Sequence, residues 1–301
     1  MELSDLRAFM AVARTENLPS AAAQVHLTPS ALSKAIRRLE LQLRTPLFDR
    51  VGRSLQINAA GMRLRERAAD LLRLESEIGT EFLGADSRFS CRIVAAPALH
   101  WRYGAGVARW LIQHYPQAAL NLQAGYDAQA LAMLLGAEVD FALVTSAALE
   151  ALPATVASAP LGQITLQLAS GRSHPLLEGA RHVSVSTAQV LAHDFACPQR
   201  SWFAGIERGS RGDGWRDDQL PRRIRYWIDD LQVLLALVRA GHALAYLPDF
   251  ALDDPLLGRI EVSDCPYQCM ESVWLLWRPS TAHGWQRQLA DGLPQMLNLA
   301  A

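Results

Sequence analysis

Residues 27–40 read LTPSALSKAIRRLE, and the order of side chains in this stretch decides what the first sixty residues build. Thr28 ahead of Pro29 marks a helix start: the threonine hydroxyl accepts a backbone N–H, and proline occupies the first helical position, where no N–H is needed. Leu32, Ile36, Leu39 and Leu43 follow at steps of four, three and four, so they share one buried face. The opposite face holds Ser30, Ser33, Lys34, Arg37 and Arg38. Hydroxyls at the N-terminal tip and cations further along suit a helix that enters a DNA major groove tip first. The short groups then reach base edges and the cations reach phosphates.

Working outward, Leu3, Leu6, Phe9, Met10 and Ala13 recur at helical spacing and predict a first helix over about 4–15. Asn17-Leu18-Pro19 ends it, and Ser20 is expected to cap a short Ala-rich helix, 21–25, whose small side chains admit a close neighbour. After the 27–40 stretch, residues 46–58 (PLFDRVGRSLQIN) read as two brief strands around a glycine-containing turn with Arg50 and Arg53 at the tip. A basic hairpin beside such a helix is a wing, placed to touch the DNA backbone or minor groove.

The run from Leu6 to Gly61 resembles the winged helix-turn-helix of LysR-type transcriptional regulators. The resemblance is carried by the Ala-Ala pair of the second helix, TPSALSKAIRRLE, the PLFDR entry to the wing and AAG after it. Family members usually have Thr-Glu-Ala-Gly where this chain has Asn58-Ala59-Ala60-Gly61, a mild departure. The resemblance implies that Thr28, Pro29, Ser30, Ser33, Lys34 and Arg37 lie at or near the groove and that Arg50 and Arg53 serve the wing. Ser20, at the second helix, completes the DNA-binding set.

From Asn58, a plausible N-cap, to about Gly84 there is no proline, and a long helix is expected. Leu64, Ala68, Leu71, Glu75, Ile78 and Phe82 step by four, three, four, three and four, the seam of a short coiled coil with one polar position. The alternative is a helix packed on its own body. In the family this helix pairs two subunits, so Leu64, Ala68, Leu71, Ile78 and Phe82 are the expected dimer interface. A dimer is also what two DNA half-sites require.

Beyond residue 90 strand-like and helical patterns alternate, which predicts an α/β body with parallel sheet. Residues 228–248, IDDLQVLLALVRAGHALAYLP, resemble the effector-domain helix and strand of the same family. The expected organisation is a winged helix-turn-helix at 1–58, a linker helix at 59–88 and an effector-binding domain at 89–301. By the resemblance that domain has two α/β subdomains of periplasmic-binding-protein type, about 91–162 with 267–301 and about 163–266. Ligands in such folds sit between the subdomains, near strand C-termini and helix N-termini. Strand ends place Pro97, His100 and Trp101, then Gly125 and Tyr126, then Thr145 and Ser146 on one wall, with Ser201, Trp202 and Phe203 facing them. Carboxylate-binding members often have Ser or Thr in the first of these loops. Pro97-Ala98-Leu99-His100-Trp101 departs from that and suits an aromatic or partly anionic ligand.

Net charge is −1, but residues 1–58 carry eight cations against five acids, a net +3, leaving −4 elsewhere. A basic end on an acidic body fits an anion-binding module attached to something else. Acids among the first residues and interruptions in every apolar stretch argue against a signal peptide and a membrane span, so a cytoplasmic protein is expected. Cys91, Cys197, Cys265 and Cys269 are expected to be reduced and structural. Cys265 and Cys269 are separated by three residues rather than the two of common thiol-redox motifs and have no basic neighbour. Gly104-Ala105-Gly106 lacks the third glycine of a dinucleotide fingerprint, and 209–214 matches a phosphate loop only in glycine content. No G-x-S-x-G elbow and no metal-helix histidine spacing occurs, so neither an enzyme nor a metal or other cofactor is expected. A solute-binding protein would account for the body alone and leave the first sixty residues unused. The sequence therefore reads as a DNA-binding regulator acting as a homodimer or homotetramer on an interrupted palindrome. Its control is expected to come from a small-molecule effector, with RNA polymerase as a possible further partner.

Overall fold

A computed structural model of the chain describes residues 1–51, 54–84, 88–206, 212–279, 282 and 284–298. Helix α1 (Leu3–Thr15), α2 (Leu18–Gln24) and α3 (Pro29–Leu43) pack around Leu6, Phe9, Val12, Leu32 and Leu39, all nearly or fully buried. Phe9 meets Phe48 at 5.6 Å between ring centres, which ties this core to the hairpin β1 (Phe48–Val51) and β2 (Ser54–Ile57). Burying one such large apolar side chain stabilises the fold by roughly 1.5–3 kcal/mol. Leu43 is the exception on the apolar face of α3 and stays 40% exposed, because the helix has by then run past α1. The second helix begins earlier than its sequence suggests. Asn17, not Ser20, is its N-cap, its side chain accepting from Ser20 N at 3.0 Å, and Pro19 sits in the first turn. Asparagine is as strong a cap as serine, and proline is tolerated in a first turn, so the start moves upstream.

Helix α4 (Ala59–Leu83) starts on Asn58, which accepts from Gly61 N at 2.9 Å. Its first half joins the small core: Ala68 is buried there, with Leu64 and Leu72 packed against it. Arg7 of α1 also reaches Glu75 at 2.6 Å. Further along, Leu71, Leu74, Ile78 and Phe82 are exposed. The helix therefore does both things its pattern allowed, packing on its own domain at one end and standing open at the other.

The body begins with β3 (Ser90–Ala95), α5 (Pro97–His114), β4 (Ala119–Ala124), α6 (Asp127–Leu135) and β5 (Phe141–Thr145). Here the β3–β4 and β3–β5 pairs are parallel, as alternating strands and helices predict. The 15-residue β6 (Ala157–Gly171) then crosses between two regions. Four elements that follow carry little periodic signal in the sequence: β7 (His182–Val185), α7 (Thr187–Leu191), β8 (Asp194–Cys197) and, later in the chain, β11 (Leu257–Val262). Three of them span only four or five residues, too few to show a period. A separate parallel pair joins β8 to β9 (Arg223–Trp227), and α8 (Leu231–Arg239) is capped by Asp230. The first half of β6 pairs antiparallel with β12 (Met270–Trp277), and its second half with β10 (Ala245–Pro248) and β11. Helix α9 (Trp285–Asn298) closes the described chain. The main sheet thus runs in the order β4-β3-β5-β12-β6-β11-β7, with β10 also paired to β6. Its antiparallel pairs on β6, together with that of β12 on β5, are what make it mixed. Among the described residues no helix is long and apolar enough to cross a membrane.

Candidate nucleic-acid interface and ligand cleft

The tip of α3 is fixed by its cap. Thr28 Oγ1 accepts from Ala31 N at 3.1 Å with Pro29 at the first helical position. Thr28, Pro29, Ser30, Ser33, Lys34 and Arg37 are all exposed on one side of the helix, and Ser20 on α2 is exposed as well. The cations of this face divide. Arg38 turns back to Asp5 of α1, Nε donating to Oδ2 at 2.8 Å and Nη2 to Oδ1. That guanidinium holds the buried Asp5 carboxyl below its usual range. Lys34 and Arg37 have no carboxylate partner among the described residues. The strand β1 carries an exposed Arg50, whereas Arg53 falls outside the described residues. The described hairpin register runs from Phe48↔Ile57 to Val51↔Ser54.

Below this face the linker is seated without slack. A Cβ on Gly61 would lie 2.2 Å from the Leu47 carbonyl oxygen, so only glycine fits where α4 passes the base of the wing.

In the body, Pro97 opens α5 and places His100 and Trp101 at its first turns. His100 Nε2 bonds the Gln123 carbonyl at 2.8 Å. A carbonyl only accepts, so this nitrogen carries the proton and Nδ1, buried and without a partner among the described residues, is left as an acceptor. Burial lowers the His100 pKa and favours this neutral ring. Trp101, 40% exposed, meets Phe250 edge-on at 5.0 Å. Tyr126, also half-exposed, lies against Gly205, where a Cβ would come within 2.5 Å of its ring and φ is +73°. These two contacts bring the walls together. Phe250 and Gly205 carry no signal in the sequence, because neither sits in a local pattern and each meets a partner distant in the chain.

Other residues named from sequence turn out to be committed internally. Thr145 is fully buried: its hydroxyl donates to Asp127 Oδ2 at 2.5 Å and its N–H to Oδ1 at 3.1 Å. Ser201 is buried and its Oγ accepts from Phe203 N and Ala204 N, which makes it the hinge of a tight turn. Phe203 is buried beside it, and Trp202 is buried with Nε1 lacking an acceptor among the described residues. Gly125 is pressed on Val94, leaving Ser146 partly exposed at the rim.

Comparison with known proteins puts names beside this geometry. Residues 3–62 match the model of the bacterial regulatory helix-turn-helix proteins of the lysR family, and residues 86–287 match the LysR substrate binding domain. The chain belongs to the LysR family. It is thus a transcriptional regulator, from a family that is not enzymatic. The chain is 27% identical over 256 residues to the regulator DgdR of Burkholderia cepacia, covering 84% of this chain and 79% of that one. It is 26% identical to the uncharacterized regulator YybE of Bacillus subtilis, covering 92% of each. Full-length OxyR from Pseudomonas aeruginosa superposes with TM-score 0.64 at 17% identity, covering 99% of this chain and 95% of that one. CbnR, solved in complex with its target DNA, superposes with TM-score 0.59 at 19% identity over all of both chains.

Proposed function

We propose that this LysR-family protein binds an interrupted palindromic operator as a homodimer or homotetramer, and that a small molecule in the 97–126/201–250 cleft modulates that binding. The division of labour follows the chain: 1–58 reads DNA, 59–88 links and pairs subunits, and 89–301 takes the effector. The observation that carries the reading is the α3 face. Its capped tip is flanked by exposed hydroxyls, and Lys34 and Arg37 meet no carboxylate among the described residues while the adjacent Arg38 is tied to Asp5. Ser30, Ser33 and Lys34 contribute sequence choice, and Arg37, Arg50 and Arg53 contribute phosphate contacts. The structure of CbnR with DNA supports the same use of this fold. Fluorescence anisotropy with the protein's own upstream DNA and with random DNA, across a salt series, tests it. Selective binding with a steep negative salt slope is expected, and equal binding to both DNAs at every salt contradicts it.

The exposed apolar run Leu71, Ile78 and Phe82 on α4 is the proposed subunit contact, while Leu64 and Ala68 support it from within the small core. Phe82→Glu is expected to shift sedimentation toward the monomer at micromolar concentration and to weaken operator binding with it. An unchanged dimer removes α4 as the contact. In the cleft, Trp101, Tyr126 and Phe250 favour an aromatic effector, and the unpaired Nδ1 of His100 favours one that presents a hydrogen-bond donor. Effector binding biases the arrangement of the two walls and, through it, DNA bending or contact with RNA polymerase. Acting on DNA requires a cytoplasmic location.

A further inference from the structure

The linker helix and the body of the same chain meet at one corner. Arg65, on the second turn of α4, faces Glu138 of the body at 3.9 Å, with both side chains partly exposed. Glu138 stands just past the end of α6. There Ala137 N donates to the Leu134 carbonyl at 3.2 Å and Glu138 N to the Met133 carbonyl at 3.0 Å, the two bonds of a Schellman ending. The left-handed residue that such an ending needs is Ala137, buried and at φ +59°, although glycine adopts that conformation most readily.

The glycine of this ending stands one place earlier, at φ −73°, where the backbone does not call for it. A Cβ on Gly136 would come 3.3 Å from Glu138 Oε1 and 3.7 Å from Arg65 Nη2. The bare backbone at 136 therefore leaves the helix end open to the carboxylate and the guanidinium. The C-terminal end of a helix also carries partial negative charge, which favours a cation beside it. The contact is nevertheless easily released. Its 3.9 Å separation is beyond hydrogen-bond reach, and Arg65 Nε is buried without an acceptor among the described residues. Arg38, by contrast, gives Asp5 two hydrogen bonds.

Helix α6 is itself fixed on its sheet, with Ala130 and Leu134 buried against Val139, Ala142 and Val144. Its other end is Tyr126, whose ring lies against Gly205. One short, anchored helix thus touches the 201–205 turn at one end and the linker at the other.

We propose that the 136–138 corner is a docking point for the linker helix of the same chain, and that Arg65 and Glu138 form an electrostatic catch which holds residues 1–84 in one orientation to the body and can open. A DNA-binding module released from the catch swings and fits half-sites at more than one spacing, so the catch sharpens spacing selectivity. That consequence rests on the operator reading above, and the catch itself does not.

Small-angle X-ray scattering of the full chain without DNA, at a concentration where the forward scattering and hence the oligomer mass is constant, tests the catch. The largest dimension is expected to grow as salt rises from about 0.05 to about 0.5 M, because screening weakens the pair. Glu138→Lys, which sets two cations face to face, is expected to show the larger dimension at low salt already. Adding Arg65→Glu to it restores the native dimension and its salt response. At a pair this exposed, each change is expected to alter the closed fraction roughly two- to fivefold. A dimension that ignores both salt and Glu138→Lys, or a double reversal that restores nothing, overturns the proposal. Should Glu138→Lys melt below the native chain, the salt series on the native chain decides alone. Anisotropy on upstream DNA with about half a helical turn inserted between the half-sites then tests the spacing role. The native chain is expected to lose more affinity on that insertion than Glu138→Lys, by roughly two- to fivefold, and equal losses overturn that role. Absence of selective DNA binding by the native chain would sink the operator reading alone, since the scattering decides the catch without DNA.

Discussion

Arg37 on α3 and Arg222 beside the 213–217 loop carry the same guanidinium into opposite circumstances. Arg37 is exposed and meets no carboxylate among the described residues. Arg222 has no side-chain exposure at all, donating to Asp213 at 2.7 Å and 3.1 Å and to Asp217 at 2.9 Å and 2.7 Å, with the rings of Phe195 and Trp215 each 5.3 Å away. A guanidinium has five donors in a rigid fork. Where the fold fills those donors the residue holds structure, and where the fold leaves them open it waits for an anion. Arg38 shows that the difference is not one of element, since it shares α3 with Arg37 yet is filled by Asp5.

The contrast is most vulnerable at Arg222. Arg222→Leu strands the buried Asp213 carboxylate and the partly buried Asp217, and removing one member of a buried ion pair costs about 3–5 kcal/mol. Urea unfolding is expected to show that loss, with operator binding at low temperature retained by the molecules that remain folded. A loss below about 1 kcal/mol would mean that the carboxylates find water or protonate, and that saturation of the fork is not structural.

A second buried cation-former tests the same idea through pH. Burial, helped by the neighbouring His193 4.8 Å away, lowers the His174 pKa to about 4. The unfolded chain takes up this proton near pH 6.5 and the folded chain only near pH 4, so stability is expected to fall as pH drops across that window, by about 1–3 kcal/mol. Thermal melting between pH 7 and pH 4 measures it. His174→Gln should flatten the profile, and an unchanged slope would assign the acid sensitivity elsewhere.

On the open side of the contrast, Arg37→Ala is expected to leave stability within the scatter of surface changes, about 0.5 kcal/mol. It should weaken cognate and random DNA alike and reduce the salt slope by about 0.9, the value for one phosphate no longer neutralised. A clear fall in stability without a change in slope would make Arg37 a structural residue like Arg38. The smallest effect is reserved for Ser33→Ala, which should relax discrimination among operator variants by about 1 kcal/mol while barely changing affinity for random DNA. Equal shifts on both DNAs would place Ser33 against the backbone rather than a base.

The exposed face of α3, proposed above to read DNA, was legible as a surface in the sequence because every rule that sets it is local. Thr28-Pro29 sets the start of α3, the four-three-four spacing sets its buried side, and what remains is the exposed set. The cap of α2 lies three residues upstream of its expected place because Asn17 and Ser20 are both good caps, and only the chain path from Glu16, left-handed at φ +49°, selects between them. The packing around the proposed effector residues was half legible. Strand ends mark His100, Trp101 and Tyr126 in the sequence, but Phe250 and Gly205 meet Trp101 and Tyr126 through tertiary packing alone. Thr145 and Ser201 look like free hydroxyls in sequence, and their partners, the Asp127 side chain and the turn at Phe203–Ala204, emerge only when the chain is folded.

The missing methyl at Gly61 has a mechanical meaning. At 1.5 Å per residue the 25 residues of α4 make a rod of about 37 Å, and its foot is wedged against the Leu47 carbonyl by a contact that even alanine would violate. With its foot packed on the base of the wing and its first half in the core of α1, α2 and α3, the rod holds Arg50 and the tip of α3 in fixed relation to its own axis. The separation between two such reading heads in a dimer is then a length set by how the far ends of two rods are held, and it is at this far end that the chain enters the ligand-binding body.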